Sequence, residues 1–206
     1  MKKTLAKREQ TQRLALAALM TALVIVIQTL ATVTTFFGPF STAIGLIPIV
    51  IGGALCGVGV GSWLGLVFGV VVLATGGAAL FLGFNPVGTY ITVLAKGLAC
   101  GFAAAISYKL LNKINNILSI VTAALLCPVV NTGVFLLGCR LFFYKYALDI
   151  GTVVGLGADV NGMDVFFALA MANFAFEIAM NLVLSPVIVR LIDIAKKQFA
   201  GKSVKK

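Results

Sequence analysis

The chain has 206 residues, 61% of them hydrophobic, and a mean hydropathy of +1.11, more apolar surface than a soluble core of this size can hide. Its formal charge of +10, from 16 Lys and Arg against 6 Asp and Glu, would suit a nucleic-acid partner if the cations formed one patch. They do not: five fall at 2–13, two at 109–113 and six at 190–206, the alternation that the positive-inside rule produces at cytoplasmic loops and ends.

The expectation is therefore an all-α membrane protein of six transmembrane helices, N- and C-termini cytoplasmic. It forms a single domain over 1–206, with basic tails at 1–12 and 196–206 that meet membrane lipid and no nucleic acid. Span 1 runs over 13–33 and lacks a small-x-small cleavage site before Thr34, which reads as an uncleaved helix. Residues 34–42, with Gly38-Pro39, form an outer turn. Apolar sequence from 43 to beyond 73 is too long for one crossing. Gly52, Gly53, Gly57, Gly59 and Gly61 mark its break, giving span 2 (43–57, short and sheltered or tilted) and span 3 (59–76). An uncharged outer loop follows at 76–85. Span 4 covers 86–108, started by Asn85 as N-cap and Pro86 at the first helical position. Span 5 covers 117–138 with a kink expected at Pro128, a second outer loop covers 140–163, and span 6 covers 164–192. Within that second loop, the stretch from Asp159 to Asp164 reads as a turn and helix cap, because its Gly comes too early for a calcium loop and no Glu closes it.

Some chemistries drop out. With no His, imidazole catalysis and His-bound metals are excluded. Cys56, Cys100, Cys127 and Cys139 stand in apolar runs and read as packing residues, so no metal or cofactor is expected. Gly201-Lys202-Ser203 resembles the end of a phosphate-binding loop, but Lys196 occupies the place of its first Gly and no strand precedes it.

What remains is a polar stripe inside the membrane. Between Arg13 and Lys109 the only charged side chain is Lys96, about 15 Å down its helix from Pro86 and so near mid-bilayer. An ammonium at that depth costs about 2.5–3.5 kcal/mol on insertion scales and faces protein or a polar cavity. Asn85, Thr89 and Thr92 precede it at helical spacing. On span 6, Asn173, Glu177 and Asn181 share a face at comparable depth, and span 5 adds Asn131-Thr132. Two readings follow: a Lys96–Glu177 pair that only neutralises both charges, or a solute pocket opening outward under the two outer loops. On span 1, Ala15, Ala18 and Ala22 form a small-xxx-small face for close helix approach, either within the bundle or onto a partner.

Six spans in about 200 residues, the Ala18-x-x-x-Ala22 motif, and the run Gly45-Leu46-Ile47-Pro48 through Gly57, Gly61 and Gly65 resemble the substrate-binding (S) components of energy-coupling factor (ECF) vitamin transporters. The resemblance implies a non-catalytic plasma-membrane subunit that binds a vitamin between the outer halves of helices 4–6. It also implies that the first-helix Ala motif packs on a transmembrane T component driven by two ATPases. A buried Lys suits a carboxylate, so pantothenate is the first expectation, with riboflavin, pyridoxine-type and folate ligands as others. The alternatives are a self-sufficient small secondary transporter, which would be expected to be longer with a clear repeat, and a membrane assembly protein, which would not need the polar stripe.

Overall fold

The computed structural model describes residues 2–33, 45–156 and 162–204, and every regular element in them is helical. The outer turn expected at 34–42 and the stretch Asp159 to Asn161 lie outside the described residues. Four stretches are long and apolar enough to cross a membrane: Gln10–Thr32, Pro86–Leu111, Asn116–Val153 and Met163–Ala195. Two shorter apolar helices stand beside them, Leu46–Cys56 and Val58–Ala74.

Helix α1 (Lys2–Val33) turns Met20, Val24, Gln28 and Ala31 inward at helical spacing. Helix α2 (Leu46–Cys56) has 11 residues, about 16 Å, half a hydrocarbon core. It survives in an apolar phase because it is sheltered: Leu46, Pro48, Ile49, Val50, Ile51, Gly52 and Gly53 are all buried, against α1, α3, α5, α6 and α8. Between α2 and α3 (Val58–Ala74) the chain reverses at one residue, Gly57, with φ of +96°. Only glycine takes that conformation at no steric cost. This reversal agrees with the expected division between 57 and 59; the other four glycines that marked the break lie within helices, where Gly53 and Gly61 serve close packing instead.

That packing defines the central seam. Gly61, Gly65 and Gly69 of α3 face Gly97 and Gly101 of α5 (Pro86–Leu111). A Cβ placed at Gly65 would collide with the carbonyl of Gly97, and one at Gly97 with the carbonyl of Gly65. Gly101 stands in the same relation to Gly61. In lipid, where apolar surface gains nothing by leaving the solvent, such backbone approach supplies the dispersion contacts that hold helices together.

The end of the bundle away from the tails is more helical than expected. The stretch 76–85 contains a short helix, α4 (Ala79–Phe84). Helix α6 (Asn116–Gly138) passes through Pro128 and continues into a π-helical turn (Cys139–Phe143), a 3-10 turn (Tyr144–Tyr146) and α7 (Ala147–Val153). Between Cys139 and Ile150 there is no Gly or Pro to end it, and its aromatics have somewhere to go. Phe81 meets Phe135 and Phe143 edge-on at 5.4 and 5.1 Å between ring centroids, forming a second apolar cluster with Ile150, Val165 and Phe166. Helix α8 (Met163–Val204) runs on through the basic stretch to Val204, beyond the expected stop at 192, because Ala, Lys and Gln favour helix there.

Candidate functional site

Helix α5 is fixed in register at both ends of its polar stripe. Asn85 caps it: its Oδ1 accepts from the Gly88 backbone N–H (3.0 Å), while its Nδ2 donates to the Phe142 carbonyl in the π-helical turn (3.3 Å). The Thr89 hydroxyl donates to the Asn85 carbonyl at 2.8 Å. Both side chains therefore already have partners within the protein, tying α5 to the segment after α6. Thr92 is buried and packs so closely on Gly138 that a Cβ there would overlap it; its Oγ1 has no hydrogen-bond partner among the described residues.

One turn further, Lys96 reaches a small cavity of about 40 Å³ lined by Lys96, Asn131, Thr132, Phe135, Ala170 and Asn173. Its Nζ sits 5.4 Å from the centre of the Phe135 ring, a cation–π distance. Glu177 of α8 is 1% exposed. Its Oε1 accepts from Asn173 Nδ2, and Asn131 also faces the carboxylate. Asn181 donates to the Glu177 backbone carbonyl at 2.8 Å. Lys96 and Glu177 attract one another across this space, yet among the described residues no ammonium lies within 4.0 Å of a carboxylate oxygen.

The consequence is an excess of buried acceptors. Glu177 Oε2, Asn131 Oδ1 and Asn181 Oδ1 join Thr92 Oγ1 in having no partner among the described residues. A buried acceptor left so costs about 1–3 kcal/mol, and native proteins rarely keep one outside a site with other uses for it. Three helices, α5, α6 and α8, thus bring Lys96, Asn131, Thr132 and Asn173 around one cavity, and Glu177 joins them through Asn173. Asn85 and Thr89 are set apart at the start of α5, and Thr92 and Asn181 flank the cavity without lining it. Phe135 and Ala170 line it and went unmarked in the sequence, where apolar residues on an apolar helix carry no signal. Phe135 lies one turn beyond Asn131, and that spacing was the available clue.

On α1, Ala15, Ala18 and Ala22 are all exposed, on the face opposite Met20, Val24 and Gln28. Leu14, Leu19 and Val26 share that outward surface, at 70, 55 and 54% exposure. The small-residue motif therefore points away from the bundle.

No curated protein and no solved structure matches this chain. Residues 12–190 match the family described as ECF transporter, substrate-specific component. This span overlaps all four long apolar stretches and takes in all the residues around the cavity, and the chain belongs to that family of membrane transport subunits.

Proposed function

We propose that the protein captures a small vitamin-like solute from outside the cell, in the plasma membrane, and delivers it to an ECF T component driven by two ATPases. In this reading the two short helices α2 and α3 complete six crossings, and the basic ends of the bundle lie in the cytoplasm. The cavity between α5, α6 and α8 then opens toward the outer face, beneath α4 and the helical turns after α6.

The observation carrying the reading is the ring of buried acceptors around a single ammonium. Such a site suits a ligand with an acid group for Lys96 and hydroxyl or amide donors for Asn131 and Glu177. Pantothenate has both, and is the ligand proposed. At about 40 Å³ the cavity is far below the roughly 300–1,000 Å³ of small-molecule sites. Binding therefore requires the aromatic layer of Phe81, Phe135 and Phe143 to shift outward.

The exposed Ala15, Ala18 and Ala22 face is the proposed contact with the T component. The test joins both halves: native mass spectrometry of the purified chain, and uptake when it is reconstituted with its ATPase module. The wild type should retain a small acid and transport it. Ala18→Trp should retain the same ligand and lose uptake, because an indole prevents close helix approach. A chain that carries no ligand when grown on pantothenate and related vitamins, or an Ala18→Trp variant that transports normally, overturns the proposal.

A further inference from the structure

A second cavity, about 480 Å³, lies at the opposite end of the bundle from the aromatic layer. Arg13 of α1, the α2–α3 turn around Cys56, and the last turn of α5 with Ala105, Tyr108 and Lys109 line it, and Lys113 closes its rim. It is built by local geometry. The Cys56 thiol approaches the Arg13 carbonyl at 3.7 Å, holding α1 beside the end of α2. The one-residue reversal at Gly57 keeps the wall low: a Cβ there would meet no heavy atom within 4 Å.

Three cations from separate parts of the chain surround this space, and among the described residues no carboxylate lines it. Asp193, the last acid of α8, is engaged by Asn116 Nδ2 at 2.8 Å. Cations gathered around a concave space repel one another, and an anion seated between them relieves that repulsion. The apolar surface flanking the cations shows where the anion comes from. Leu14, Leu110 and Ile114, next in sequence to Arg13, Lys109 and Lys113, are 70, 65 and 77% exposed, which suits lipid chains rather than water. Basic pockets at that level of a bundle match phospholipid headgroups.

We propose that this cavity seats the phosphate of an anionic phospholipid, with Arg13, Lys109 and Lys113 around its oxygens and the acyl chains running along the outer surface of α5 and α1. The shared chemistry is a phosphate anion; the source proposed is the bilayer. The site is independent of the solute cavity, and its failure would leave the proposed function untouched.

The experiment uses the full chain, delipidated in neutral detergent, with phosphatidylglycerol, phosphatidylcholine or inorganic phosphate added. Native mass spectrometry counts retained lipid and thermal unfolding reads stabilisation. Phosphatidylglycerol should be retained and should raise the midpoint, and phosphatidylcholine should do neither. The triple variant Arg13→Gln, Lys109→Gln, Lys113→Gln should bind phosphatidylglycerol at least tenfold more weakly. Lys113→Glu alone should reproduce most of that loss should the triple variant fail to fold. A second triple variant, Lys196→Gln, Lys197→Gln, Lys202→Gln, removes the same charge from the tail and should keep wild-type binding. Equal losses in the two triple variants would mean a diffuse basic surface and overturn the site. Inorganic phosphate stabilising as well as the lipid, and displacing it, would assign a soluble anion and overturn the lipid.

Discussion

Along α5 two stripes run side by side and solve opposite problems. Where α5 meets α3, Gly97 and Gly101 present bare backbone, and the two helices close until a methyl group at Gly65 or Gly97 would strike a carbonyl. Where α5 meets α6 and α8, the side chains are Thr92 and Lys96, and the acceptors around them lack partners. Each glycine costs about 0.5–1 kcal/mol in helix propensity and is compensated by contact. Each orphaned acceptor costs about 1–3 kcal/mol, and nothing among the described residues compensates it. The seam therefore reads as the part that holds α5 still, and the polar stripe as the part held still for something else.

The sharpest way to break this contrast is to fill the seam. Gly65→Val places branched carbons against the Gly97 carbonyl, which is backbone and cannot rotate away. Overpacking of flexible cores costs about 1–3 kcal/mol. Against a rigid backbone the loss should exceed about 3 kcal/mol, seen as a collapse in folded yield and melting temperature. A variant that stays folded and still binds solute would mean that α3 is free to slide and that the seam does not position Lys96.

The polar stripe should respond differently, with affinity moving more than stability. Lys96→Met keeps most of the side-chain length and removes the charge. If Lys96 meets a ligand acid group, binding should weaken by about 1.5–3 kcal/mol, roughly ten- to a hundredfold in dissociation constant. Because no contact ion pair joins Lys96 to Glu177, the melting temperature should fall little. The double variant Lys96→Met, Glu177→Gln removes the remaining buried charge and should be at least as stable, yet still bind weakly. A double variant with normal affinity would show that Lys96 serves only to balance Glu177.

How much of this was legible in the sequence follows from the same contrast. Lys96, Asn131, Asn173 and Glu177 could be found because polar atoms are rare in an apolar run and their spacing is helical. The Asn85 cap was readable because Asn-Pro before a helix has a local mechanism. Phe135 had only its spacing from Asn131 to mark it and Ala170 had nothing, since the side chains lining an apolar wall and those facing lipid are of the same kinds. The stretch 140–163 looked like a loop from its Gly and Asp content. In fact its first half, to Val153, is helical, because Phe81, Phe143 and Ile150 bury one another there. Five glycines between Gly52 and Gly61 marked the break, and the spans were divided between 57 and 59, next to the turn that the structure shows. Only backbone geometry separates Gly57, which turns the chain, from Gly53 and Gly61, which let helices meet.

That last distinction gives the smallest effect and a clean one, since Gly57 and Gly59 stand two residues apart and neither would bring a Cβ within 4 Å of another heavy atom. Space alone predicts that Ala is tolerated equally at both. Backbone conformation predicts opposite signs. Gly59 is exposed within α3, so Gly59→Ala should stabilise by about 0.5–1 kcal/mol through helix propensity and a less free unfolded chain. Gly57 has φ of +96°, so Gly57→Ala should destabilise by about 1–3 kcal/mol despite the open space. Thermal unfolding of the two variants side by side decides it. If both shift the midpoint the same way, the turn between α2 and α3 is not held at Gly57, and the register of α3 against α5 rests on the glycine seam alone.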